Sequence, residues 1–138
     1  MLTSLLDTNL CVRALRDRPL EIRERLKAEF EAICISSIVR YELYVGIALA
    51  GGGENKKREL DDFLSPIPCL PFDDNAAFHA ADIRVDLTRK GKLIGPYDLL
   101  IAGHARSQGL KVITGNLGEF GRVDGLISED WLAETKDN

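Results

Sequence analysis

Three carboxylates in this chain stand where an apolar side chain would be expected. In "LLDTNL", residues 5–10, the apolar pair Leu5-Leu6 stops at Asp7 and is followed by Thr8 and Asn9. In "CISSIVRYELYVGIALA", Glu42 falls inside the stripe Val39, Leu43, Gly46, Ile47 and Ala50, one turn before Gly46. In "GPYDLLIAGHA", Asp98 shares a helical face with Ile101, Ala102 and Ala105. An ionised carboxylate buried without a partner costs several kcal/mol, so each position asks for a reason. Mundane reasons exist. Asp7 could cap the helix that follows it, Glu42 could pair with Arg40, and Asp98 sits in a first helical turn where the dipole favours negative charge.

One chemistry would account for all three together. If they converged, each pair about 5 Å apart would repel by roughly 3 kcal/mol at an effective dielectric of 20. A hard divalent cation with oxygen ligands would relieve that repulsion, and Mg²⁺ or Mn²⁺ suits a site without thiolate or imidazole. Asn116, in "VITGNLGEF", offers an amide carbonyl of the same hard type.

Convergence depends on the elements that carry these residues. Short β-type runs are read at 3–6, 32–35, 67–70 and 110–113, with a weaker edge strand near 125–128. Helices are read at 19–30, from a cap at Ser36 or Ser37 to about Ala50, at 54–64, 74–90 and 96–109. Strands alternating with longer helices imply α/β architecture around a parallel sheet. In an open sheet of that kind the ligand crevice lies at the carboxyl ends of the strands. Asp7 and Asn116 each follow a strand, and the helix holding Glu42 starts directly after one. Asp98 precedes a strand, so only the fold could bring it there.

The bulk properties narrow the function classes. At 138 residues the chain fits one domain, expected to span 1–132, with a frayed polar tail at 133–138. No apolar run has membrane-spanning length, and Asp7 interrupts any signal-peptide core, so a cytoplasmic location is expected. Cys11, Cys34 and Cys69 lack metal-site or disulfide spacing and read as small buried apolar residues; His79 and His104 lack a paired-ligand spacing. A net charge of −4 argues against a uniformly basic nucleic-acid binder but leaves room for a local basic patch. Arg89, Lys90 and Lys92, just ahead of Asp98, are the first candidates to hold phosphates; Arg13, Arg16 and Arg18 are the second.

"LLDTNLCV", "CISSIVRYEL", "GPYDLLIAGHA" and "VITGNLGEFGRVDGL", in that order, resemble the PIN-domain ribonucleases, and within them the VapC-type toxins of toxin–antitoxin pairs. The resemblance runs from about Thr3 to Trp131. It implies a three-layer α/β/α PIN-like fold with a central, mainly parallel sheet of four to five strands. It also implies a Mg²⁺-dependent (or Mn²⁺-dependent) endoribonuclease that leaves 5′-phosphate and 3′-hydroxyl ends, with tRNA the leading candidate substrate. The family's acidic site maps onto Asp7, Glu42 and Asp98, with Asp7 and Asp98 the chief metal ligands and Glu42 completing the shell. A fourth position, often aspartate in the family, is Asn116 here, which leaves one negative charge fewer. Thr8 and Ser37 match hydroxyl positions lining the family's site. A VapB-type antitoxin covering the crevice and a homodimer, built through helices around Tyr41, Tyr44 and Leu60, are further implications. Two rivals stay open: a PIN-like interaction module with weak catalysis, favoured by Asn116, and a phosphatase with an aspartyl nucleophile. The second wants another aspartate two residues after Asp7, where this chain has Asn9.

Overall fold

The structure is a computed structural model that describes residues 1–16 and 19–131. Five strands form one sheet in the order β3-β2-β1-β4-β5, and every pairing is parallel. They are β1 (Ser4–Leu6), β2 (Ile33–Ser36), β3 (Cys69–Leu70), β4 (Lys111–Thr114) and β5 (Ser128–Asp130). The helices are α1 (Thr8–Leu15), α2 (Leu20–Ala28), α3 (Ser37–Leu49), α4 (Gly53–Leu64), α5 (Asp74–Arg89), α6 (Pro96–Ser107) and α7 (Leu117–Phe120). This is a three-layer α/β/α arrangement with a five-stranded, all-parallel sheet, as the resemblance implies.

The inner strands read as nearly continuous apolar runs because both of their faces are covered. Leu5, Leu6, Ile33, Ile35, Val112 and Ile113 are all buried. Right-handed crossovers fix which face each helix covers. The chain moves from β1 through β2 to β3 in one direction, so α1 to α4 lie on one face. It then returns to β4 and β5 on the other side of β1, which puts α5 to α7 on the opposite face. The direction reverses between β1 and β4, and the carboxyl ends of those two strands therefore open a crevice.

The elements that frame the crevice are held firmly. α5 and α6 cross so closely that a Cβ on Gly103 would stand 2.5 Å from the Ala80 backbone. His104, fully buried beside it, reaches the Ser36 hydroxyl at 2.7 Å through Nδ1 and takes the edge of Phe72. Ser36 also caps α3, accepting from the Ile38 N–H at 3.1 Å, so the hydroxyl that ends β2 sets the start of the helix carrying Glu42. Ser36, not Ser37, is the cap.

Boundaries differ from the sequence reading where local chemistry intervenes. β3 begins only at Cys69, because Pro68 has no N–H to give the ladder and Ile67 closes a turn onto the Leu64 carbonyl. α2 stops at Ala28, and a 3₁₀ turn at Phe30–Ala32 leads into β2. The edge strand starts at Ser128 rather than near Gly125, whose φ of +80° makes a turn. The segment after Thr114 contains the short helix α7, unread from the sequence because four residues give no periodicity. Cys11 and Cys34 are buried, Cys69 is half-buried, and all three are free thiols, as expected of space-filling residues. The tail at 133–138 lies outside the described residues.

Candidate functional site

Asp7 ends β1 and caps α1 at once. Its Oδ1 accepts from the Leu10 N–H at 2.8 Å, so the mundane role is real. Its Oδ2 does something else: it accepts from the Thr114 hydroxyl at 2.5 Å, across the switch point at the end of β4. The backbone agrees, since the Asp7 N–H donates to the Ile113 carbonyl at 3.0 Å. The carboxylate is only 4% exposed. Burial pushes its pKa up to about 6 against the pull of the Thr114 and Leu10 hydrogen bonds, and the charges of Glu42 and Asp130 push the same way.

Glu42 arrives from α3. It has no ion pair with Arg40, whose guanidinium lies over the Tyr44 ring instead. Its Oε1 accepts from the Thr8 hydroxyl at 2.7 Å, tying α3 to the first residue of α1, next to Asp7. Thr8 thus supports the site by orienting Glu42.

Asp98 arrives from the first turn of α6. Burial pushes its pKa up to about 8, helped by a hydrogen bond with the carboxyl of Glu119 and by the charges of Glu119, Asp7 and Glu42. A Cβ built on Gly95 would meet Asp98 Oδ2 at 3.6 Å and Glu119 Oε2 at 4.0 Å, so the two carboxyls converge over that glycine. Beside a second carboxyl, Asp98 holds its proton more tightly, because ionising it there is costly. The dipole of α6 is too weak a benefit to explain this arrangement.

The structure thus brings Asp7, Glu42 and Asp98 into one electrostatic neighbourhood and adds Glu119. Glu119 was not singled out in the sequence because it lies on α7; its signal was an acid five residues beyond the end of a strand leading to the same crevice. Thr114 was also missed. Asn116 follows β4 as expected, but it is exposed, and its backbone N–H, not its side chain, makes the local bond, to Thr114 Oγ1 at 2.8 Å. Ser37 does not turn its hydroxyl to the acids: it accepts from the Phe72 N–H at 3.0 Å and fastens α3 to the strand-to-helix loop before α5.

The expected phosphate ligands lie at the end of α5 and in the loop after it. Lys90 is held by Asp86 at 2.9 Å and Asp124 at 3.0 Å at the end of α5. The Lys92 and Leu93 carbonyls accept from Arg122 at 3.5 and 3.3 Å. Arg89 ends α5, exposed. From the second group, Arg16 rims, together with Lys56, an apolar groove of about 310 Å³ running from Glu42 along Val12, Leu43 and Ile47. Arg18 lies outside the described residues. Of the residues around which self-association was expected, Leu60 is fully buried and Tyr44 is half-buried with its hydroxyl on Asp61 at 2.8 Å, while Tyr41 is exposed, as are Val45 and Leu49 on the same helix.

Could these residues hold a divalent cation? The donors are all oxygen, which suits Mg²⁺ or Mn²⁺. Asp7 and Asp98 both hold their protons tightly, first through burial and then through neighbouring carboxyls, and a cation would relieve both costs. Among the described residues no three acids or other ligands close a cage. Mg²⁺ does not need one, because it keeps several waters and binds through one or two carboxylates plus substrate phosphate. The donor set fits.

Fold and site define a class: an open parallel α/β domain with an acidic cup at its switch point. Residues 4–126 match the PIN domain model, and the chain belongs to the PIN-domain family, within its VapC branch. It is 44% identical to the tRNA(fMet)-specific endonuclease VapC of Salmonella typhimurium over 95% of this chain and 99% of that one. It is 40% identical to ribonuclease VapC2 of Haemophilus influenzae, over 96% and 100%. The crystal structure of DNA-bound VapBC from Salmonella typhimurium superposes with a TM-score of 0.90 over 95% of this chain and 99% of the other. Among the described residues no helix is long and apolar enough to cross a membrane.

Proposed function

We propose that this chain is the toxin of a toxin–antitoxin pair, a Mg²⁺-dependent endoribonuclease that cuts RNA internally, with tRNA the leading substrate class. The observation that carries the reading is the placement of Asp7 at the β1/β4 switch point, with Glu42, Asp98 and Glu119 delivered to it from three separate helices. An interaction module without catalysis would have no use for four crowded carboxyls that weaken its own fold. The phosphatase alternative has no second aspartate at position 9 and gains nothing from Glu42.

Asp7 and Asp98, with Glu42 direct or through water, would hold the divalent cation, which would supply charge neutralisation at the phosphate and acidify a water. The protein's own residues do the rest. Thr114 and the Leu10 N–H fix Asp7 so that its carboxylate cannot swing from the strand end. Thr8 sets Glu42 in position to orient the attacking water and take its proton. Water oxygen bonds to phosphorus, the bond to the 3′ oxygen breaks, and that oxygen takes a proton from solvent. The products are a 5′-phosphate and a 3′-hydroxyl, and the substrate 2′-hydroxyl is not consumed.

The toxin reading includes a VapB-type antitoxin, supported by the VapBC assembly of the Salmonella typhimurium relative. The apolar groove beside Glu42 suits an antitoxin segment, and the acidic cup suits a basic side chain on it. Self-association and action in the cytoplasm belong to the same reading.

The test is the purified chain, freed of partner, incubated with total RNA and Mg²⁺ beside Asp7→Asn, with cleavage sites mapped. Cleavage by the parent alone supports the proposal. Equal cleavage by both proteins assigns it to a contaminant and removes the ribonuclease assignment.

A further inference from the structure

Two tyrosines stand at the lip of the acidic cup, and the site as described uses neither. Tyr41 immediately precedes Glu42 on α3, and Tyr97 immediately precedes Asp98 on α6. Both are large, aromatic and exposed, at 51% and 40%. They are not scattered. Their ring centroids are 5.7 Å apart with planes tilted by 42°, and their hydroxyls are 3.3 Å apart. The pair bridges the two helices that come from opposite faces of the sheet, and the Glu42 charge acts on Tyr97.

We infer that Tyr41 and Tyr97 form a stacking platform for an unpaired RNA base next to the scissile phosphate. Resting on the ribonuclease reading, this deepens it by naming what positions the substrate. Three features favour a base as the occupant. Both residues are exposed aromatics, and an aromatic face stacks with any base. When one phenol donates to the other, the accepting hydroxyl keeps its own O–H to donate outward, to a base edge or a phosphate oxygen. Finally, the platform adjoins carboxyls that would repel a phosphate approaching without a cation, so a handle on the neutral base is the contact available at that lip. A paired base could not reach it, which selects for loops over duplexes.

The experiment separates binding from cutting. In the Asp7→Asn full-length chain with Mg²⁺, affinity is measured for a short oligoadenylate and for an abasic ribose-phosphate oligomer of equal length. The parent should prefer the oligomer with bases by about tenfold or more, since a stacked base contributes roughly 1–3 kcal/mol. Tyr41→Leu and Tyr97→Leu should lose that preference while binding the abasic oligomer as before. Tyr41→Phe and Tyr97→Phe should keep most of it. No preference in the parent, or an unchanged preference in the leucine variants, overturns the inference. If the leucine variants instead alter only molecular mass by light scattering, the pair is an interface between copies of this chain and the platform is rejected. Cleavage mapping fails or succeeds independently: a chain that binds bases through this pair but does not cut sinks the hydrolysis reading alone.

Discussion

Replacing Asp7 with asparagine should abolish cleavage and at the same time stabilise the metal-free protein. The native environment raises the Asp7 pKa from 3.8 to about 6, chiefly by burial. The folded chain therefore binds this proton more tightly than the unfolded chain. Below pH 3.8 the group is protonated in both states and has no effect on stability. As pH rises the unfolded state ionises first, stability falls, and the loss is complete above about pH 6. A rise of that size corresponds to about 3 kcal/mol. Asparagine keeps the shape: its carbonyl can accept from the Leu10 N–H, and its amide can donate to Thr114 Oγ1. Those hydrogen bonds already oppose the rise, so the expectation is a gain of about 3 kcal/mol at neutral pH and none in acid. Urea unfolding of both proteins in EDTA, from acid to mildly alkaline pH, measures this. Mg²⁺ should then close the gap by stabilising only the parent, by about 2.7 kcal/mol at roughly a hundred times the dissociation constant. A variant less stable than the parent at neutral pH, or a difference independent of pH, would refute the account of a charge-strained site.

Three further outcomes follow from particular contacts. Glu119→Gln removes the carboxyl charge beside Asp98, so the Asp98 pKa in the metal-free protein should fall below about 8, read by carbon NMR of the labelled carboxyl; an unmoved value would mean that burial alone sets it. Gly103→Ala places a methyl 2.5 Å from the Ala80 backbone and should lower stability by about 1–3 kcal/mol, because neither helix can yield without disturbing the other; an unchanged urea midpoint would contradict the close crossing. Lys90→Ala should leave RNA binding, its salt dependence and the urea midpoint unchanged, since its partners are exposed aspartates at the surface; weakened RNA binding would make it a phosphate ligand.

Much of the architecture was readable from local pattern. Strands showed as apolar runs because both faces of a parallel sheet are buried, and Pro96 and the α3 start marked helices because they act within a turn. Asp7, Glu42 and Asp98 were legible for a different reason: each breaks a local rule that the surrounding residues obey. What neighbours them was not legible. Glu119 breaks no rule on its short helix, and Thr114 is an ordinary strand residue; each matters only because β4 lies beside β1, a pairing between segments far apart in the chain. The basic residues show the converse. Arg89, Lys90 and Lys92 look like free cations in sequence, yet the loop after α7 brings Asp124 to Lys90, which Asp86 one turn back on α5 also holds. The chain by itself determined which residues are out of place; strand order and helix crossing decided which of them meet. The physical reason is range. Propensity and periodicity act over one or two turns, whereas the cup is held by contacts that exist only after the sheet has closed.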